Sequence, residues 1–165
     1  MVSDENLILE FQRGSRDAFD ELFARYREPI YGFFRRRLAD RPRAEDLTQE
    51  TFLAVIHAIS RYEPRSSVRT YLYGIALKLV AAERRKMARA QPANEPAATR
   101  PDSSLWIREA LDKLEAGERE ILMLREYEQL SYAEIAGILR VPVNTVRTRL
   151  FRARLALKEQ LHATR

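Results

Sequence analysis

Apolar residues recur along this chain at steps of three and four, the spacing of a helix face. The strict alternation of a half-buried strand is missing, and so is any Asn-Gly hairpin turn. In the first half the pattern predicts four helices. Residues 4–13 form a short amphipathic one that Gly14 closes. A second begins at Ser15 or Arg16 and runs to residue 38, with Phe19, Leu22, Phe23 and Tyr26 on one stripe. Pro29 within it is either a kink or a fresh first turn. The third starts between Pro42 and Glu45 and reaches Ile59, with Leu47, Phe52, Val55, Ile56 and Ile59 at helical spacing. A loop, SRYEPRSSV, leads to a fourth helix from residue 68 or 69 to 86, which ends in the basic cluster ERRK.

Residues 88–104, ARAQPANEPAATRPDSS, break this pattern. They hold almost no large apolar side chain, so they cannot bury enough surface to offset the entropy of ordering them, and they read as a linker. Four shorter helices follow, over residues 105–114, 116–127, 132–139 and 144–162. The expected fold is therefore all-α: two small helical domains, 1–87 and 105–165, joined by a flexible linker. The only tryptophan, Trp106, is expected to pack the first helix of the second domain.

The last two helices are the most informative. Ser131 with Glu134 three residues on is a capping box, which fixes a helix start at SYAEIAGIL. Ile135, Ile138 and Leu139 give that helix an apolar face, and Arg140-Val141-Pro142 breaks it before VNTVRTRLFRAR begins. Two helices joined by so short a turn form a helix-turn-helix, whose second helix lies in a DNA major groove. At about 100° per residue, Val143, Val146, Leu150, Ala153 and Leu157 share one side of the second helix. Asn144, Thr145, Thr148, Phe151 and Arg152 fall opposite, with Arg147 and Arg154 at one edge and Arg149 at the other. That face offers arginine for guanine edges or phosphates, amide and hydroxyl for base edges, and a ring for a thymine methyl.

Charge supports the assignment through its distribution. The formal excess over 165 residues is only +5. Within the second domain, however, residues 109–134 hold eight acids against three bases, and residues 140–158 hold six bases and no acid. A helix that is merely soluble mixes signs; this one does not, which points to a polyanion. Other chemistries recede. There is no cysteine, hence no disulfide, thiolate metal site or thiol catalysis, and the two histidines, His57 and His162, are far apart. No phosphate-binding loop, nucleophile elbow or HExxH occurs. Nothing argues for an enzyme, a metal, a cofactor or a small-molecule substrate. With no long apolar stretch and no signal-like start, a cytoplasmic protein is expected.

Three stretches in order carry a family resemblance: RAEDLTQETFLAVIHAISRY, SSVRTYLYGIALKLVAAERRK and LSYAEIAGILRVPVNTVRTRLFRARLAL. Together they closely resemble bacterial sigma factors of the extracytoplasmic-function (ECF) branch of the sigma-70 family. The resemblance implies a region 2 domain, a region 4 domain and a protein that lends promoter specificity to core RNA polymerase. Glu45, Asp46, Gln49 and Glu50 would dock on the clamp helices of the polymerase's largest subunit, with the flap as a further polymerase contact. Arg61, Tyr62, Arg65, Ser66, Arg69, Tyr71, Lys78, Arg84 and Arg85 would meet the −10 element and its backbone. Of the helix residues Tyr71 and Tyr73, which cannot both face inward, Tyr71 is expected on the DNA side. Asn144, Thr145, Arg147, Thr148, Arg149, Phe151 and Arg152 would meet the −35 element. An anti-sigma factor, often membrane-bound, is an implied regulator. The family commonly has a glycine-like residue where Arg140 stands, so this turn either accepts a side chain or takes another path. The main alternative is a stand-alone helix-turn-helix regulator with a sensor domain; a protein-only adaptor is a more distant one.

Overall fold

The computed structural model describes residues 1–90 and 105–163. The chain divides into two compact units, Met1–Thr99 and Arg100–Arg165. Among the described residues every regular element is helical. Unit 1 holds α1 (Asp4–Gln12), α2 (Arg16–Arg37), α3 (Arg41–Ala58), a short 3-10 turn (Ile59–Arg61) and α4 (Val68–Ala90). Unit 2 holds α5 (Leu105–Asp112), α6 (Ala116–Glu126), α7 (Tyr132–Leu139) and α8 (Val143–Ala163). The boundary falls inside the expected linker, but residues 88–90 continue α4, and 91–104 lie outside the described residues. No described helix is long and apolar enough to cross a membrane.

Local chemistry sets the helix starts. Ser3, Ser15 and Asp40 each accept a backbone N–H three residues ahead, from Asn6, Ala18 and Arg43. Gly14, with φ of 106°, lets the chain reverse between α1 and α2. Pro29 neither ends nor restarts α2, which runs unbroken from Arg16 to Arg37. An interior proline costs about 3 kcal/mol. Just beyond it Ile30, Phe33 and Phe34 are fully buried, at about 1.5–3 kcal/mol each, and this outweighs the proline.

The core of unit 1 joins these side chains to Leu47, Phe52 and Val55 of α3 and Val68, Leu72, Tyr73, Ala76 and Val80 of α4. Phe11, Phe19, Phe23 and Phe52 form a ring cluster at one side, with centroids 4.8–6.4 Å apart. Ile56, expected inside, is exposed together with Leu53. The reason is phase: Asp46, Gln49, Leu53 and Ile56 follow one another at three- and four-residue steps along the outer face of α3.

In unit 2 the core gathers Ala110, Leu111, Ile121, Leu122, Met123, Leu124, Leu130, Ile135, Val146, Leu150 and Ala153. Trp106 is not part of it. With 51% of its surface exposed, it sits in the first turn of α5, before that helix reaches the core at Ala110 and Leu111.

Candidate nucleic-acid and polymerase interfaces

The helix-turn-helix forms as the sequence dictates. The Ser131 Oγ accepts from Glu134 N and the Glu134 carboxylate accepts from Ser131 N, both at 3.0 Å. Arg140 then takes the left-handed conformation itself (φ 57°, ψ 48°), so the turn accepts a side chain at a cost of about 1 kcal/mol relative to glycine. Val141 N–H closes back on the Ala136 carbonyl at 3.1 Å, and Pro142 presents its carbonyl to Thr145 and Val146 to start α8.

Val146, Leu150 and Ala153 fix the inner side of α8, while Val143 and Leu157 are half-buried. Asn144, Arg147, Thr148, Arg149, Phe151 and Arg152 are all exposed, and Thr145 is half-exposed. Phe151 shows 64% of its surface to solvent, which nothing in unit 2's own packing requires. Arg147 donates to the Asn144 side chain at 2.8 Å, which aims both along the first turns of the helix. Arg149 and Arg152 instead line a groove of about 630 Å³ against the start of α6, beside Glu115, Gly117 and Glu118. The fourth arginine is committed: Arg154 is bound to Tyr132 and Glu126, and these contacts hold its guanidinium protonated more firmly.

A second basic surface lies on α4 and the loop before it. Tyr71, Lys78 and Arg85 recur every seven residues, on one stripe and about 10 Å apart, with Tyr71 half-buried and both cations exposed. Burial pushes the Tyr71 hydroxyl up despite the charge of Arg61, so it remains a protonated donor at neutral pH. Tyr73 is the inward ring, buried 5.7 Å from Phe33. Tyr62 is a different matter. Only 8% of it is exposed, and its ring meets that of Tyr71 edge-on at 5.0 Å. Tyr62 therefore backs Tyr71; the free chain does not offer it as an open stacking face. Arg65 and Ser66 are exposed in the loop, Arg65 in a weak surface pair with Glu63. Arg69 lies on the other side of α4 near Tyr26, and Arg84 is half-buried, so neither joins the stripe.

The third surface is the outer face of α3. Glu45, Asp46 and Gln49 are exposed and Glu50 partly so. Sequence reasoning missed the residue that organises them. Arg43 grips the buried Glu83 of α4 with two N–H bonds of 2.8 Å, and its remaining terminal nitrogen stands 3.7 Å from both Asp46 and Glu50. No local signal marks a pair 40 residues apart. Leu53 and Ile56 extend the same face with apolar surface.

Two helical units, one with a helix-turn-helix whose second helix carries no acid over residues 143–158 and the other with a ring-and-cation stripe and an acidic outer face on α3, have the make-up of a DNA-binding protein that works with a protein partner. The family model described as Sigma-70 region 2 matches residues 22–90, and that described as Sigma-70, region 4, matches residues 104–157. The chain is 33% identical to the RNA polymerase sigma-H factor of Pseudomonas aeruginosa, over 96% of this chain and 93% of that one. It is 34% identical to the ECF RNA polymerase sigma factor SigC of Mycobacterium tuberculosis (92% and 87% covered) and 30% identical to the corresponding factor SigW of Bacillus subtilis (93% and 94%). Among solved structures it resembles CnrH, in complex with the cytosolic domain of CnrY, with a TM-score of 0.76, 27% identity and 97% of both chains covered. It also resembles the sigma factor RpoE of Bartonella quintana, in complex with the anti-sigma factor NepR, with a TM-score of 0.73 and 25% identity over 89% of this chain and 98% of that one. The chain belongs to the ECF RNA polymerase sigma factors. It is a transcription initiation factor that works with core RNA polymerase and promoter DNA, and not an enzyme. Because the likeness spans both units, it does not favour a stand-alone regulator.

Proposed function

We propose that α8 of unit 2 holds the duplex −35 element through Asn144, Thr145, Arg147, Thr148, Arg149, Phe151 and Arg152, while unit 1 captures the opened −10 strand. The observation that carries this reading is the outer face of α8, where arginine, amide and an exposed ring stand together and no acid interrupts them. In unit 1 the Tyr71, Lys78 and Arg85 stripe has the make-up of a single-strand track, a stacking ring followed by cations. Arg61, Arg65 and Ser66 extend it into the loop. The Asp46, Gln49 and Glu50 face, with Glu45 beside it, docks on basic clamp helices of the polymerase; carboxylates there make charge-assisted hydrogen bonds.

Each DNA contact alone is modest. They become strong together because polymerase fixes the spacing of two linked modules, which turns the second binding event into an intramolecular one. The protein acts in the cytoplasm, and an anti-sigma factor that covers the α3 face restrains it, with a membrane-anchored partner as one form of that restraint.

Run-off transcription tests the reading. Core RNA polymerase with the purified chain and a randomised DNA pool yields transcripts from a defined set of templates, whereas core polymerase alone yields none. The free chain binds the selected templates weakly and loses that binding steeply with salt. Tight, sequence-specific binding by the free chain, with no chain-dependent transcript, would contradict it.

A further inference from the structure

The loop that joins the 3-10 turn to α4 is held by a helix outside the region 2 match. The Gln12 carboxamide, at the end of α1, donates to the Ile59 carbonyl at 3.0 Å and to the Tyr62 carbonyl at 2.9 Å. The Ile59 carbonyl also accepts the Tyr62 N–H that closes the 3-10 turn, so Gln12 clasps both ends of that turn. At the loop's other end the Glu5 carboxylate stands 3.4 Å from the backbone N of Val68, the first residue of α4. That is a long contact, and its chief effect is a negative charge at a helix N-terminus. The same charge adds to burial in pushing the Tyr62 hydroxyl up.

The brace is itself anchored. Leu7 and Ile8 are buried, and Asp4 accepts hydrogen bonds from Arg25 and Tyr26 of α2. α1 is thus fastened to α2 while two of its polar side chains hold both ends of the loop. Fixing the Tyr62 backbone fixes the ring that backs Tyr71 at 5.0 Å.

We propose that Gln12, assisted by Glu5, is a positioning residue for promoter opening: it sets the 59–68 loop in its strand-capturing shape before DNA arrives. The entropy of ordering the loop is then not charged against capture of the strand. The proposal rests on the reading of Tyr71 and its neighbours as the strand-capturing surface.

The test uses full-length chains reconstituted with core RNA polymerase. The probe is a promoter fragment selected from a randomised pool by the wild-type holoenzyme, with 2-aminopurine in its −10 segment to report opening. Gln12→Glu keeps the side chain's shape and replaces its N–H donors with an acceptor; Gln12→Ala removes it. Both variants bind core polymerase as the wild type does, yet their opening equilibrium falls about tenfold. Amide exchange quickens in residues 59–68 and not in α2 or α3. A loss of polymerase affinity as large as the loss of opening would overturn the proposal, because the role would then be general to the fold. Tyr71→Ala separates the two levels. If Tyr71→Ala impairs opening and both Gln12 variants open normally, the brace is refuted and the surface stands. If Tyr71→Ala opens normally, the surface assignment fails and the brace with it.

Discussion

Arg147→Ala weakens binding of the holoenzyme to its promoter by about 10- to 100-fold, the worth of one lost bidentate base contact. The side chain is exposed and bonds within the fold to the Asn144 side chain in its own helix, so the variant folds and binds core polymerase normally. It stands in the first turns of α8, the part of a recognition helix that reaches base edges. Its bond to Asn144 presets the direction of the guanidinium, and less rotamer freedom is lost on contact. Arg152→Ala has a different signature. That residue lies near the middle of α8, exposed and five positions beyond Arg147, and a phosphate rather than a base contact is expected of it. Its loss weakens binding evenly across sequences and lowers the slope of log affinity against log salt by about one. Anisotropy titrations of a selected promoter fragment at several salt concentrations separate the two; unchanged affinity in both variants would remove α8 from the DNA.

The second large effect is on stability. Glu83→Gln destabilises unit 1 by about 3 kcal/mol, the lower end for breaking a buried ion pair, since Arg43 keeps 28% of its side chain exposed. Thermal unfolding of that unit should fall by about 15 °C. The loss comes from a guanidinium left in place without its two-bond partner. Replacing both residues with apolar ones of similar size recovers most of the stability. The pair also sets a pH dependence. The Arg43 hydrogen bonds hold the Glu83 carboxyl below its ordinary value of 4.5, against the opposing effect of burial. A carboxylate depressed in the folded state contributes stability that is full above the unfolded value and lost as pH falls through the folded one. The wild type therefore loses this contribution on acidification below about 4.5, and Glu83→Gln shows a flatter acid limb. Equal melting temperatures at pH 7 would contradict the argument. A freed Arg43 also stands ready to neutralise Asp46 and Glu50, 3.7 Å away, so under the docking role proposed for that face the variant is expected to bind polymerase more weakly as well.

Helix order, the two-domain division and the helix-turn-helix were legible because they rest on local signals. Caps at Ser15, Ser131 and Glu134 and the apolar stripe through Val146, Leu150 and Ala153 act within a few residues of themselves. The exposure of the α8 face followed from the same periodicity. What escaped depends on partners distant in sequence. Tyr62 reads as an open ring until Tyr71 is placed against it. Arg43 reads as surface charge until Glu83 meets it across the α3–α4 packing. Gln12 gives no signal at all, since its two acceptors are backbone carbonyls 47 and 50 residues away. Trp106 shows the converse: expected from the sequence to pack the first helix of the second domain, it stands in the first turn of α5 with half of its surface exposed. Arg140 reached its left-handed turn against side-chain preference, because the short break between α7 and α8 demands that backbone and Pro142 cannot supply it.

The most direct test is a titration of the labelled chain with bacterial core RNA polymerase free of any sigma factor, followed by anisotropy, with an Asp46→Arg/Gln49→Ala variant alongside. The α3 face predicts saturable nanomolar binding by the wild type and a marked loss in the variant, whose two changes are exposed and leave the core untouched. Failure of the folded wild-type chain to bind, or equal binding by both, would contradict the account at its centre.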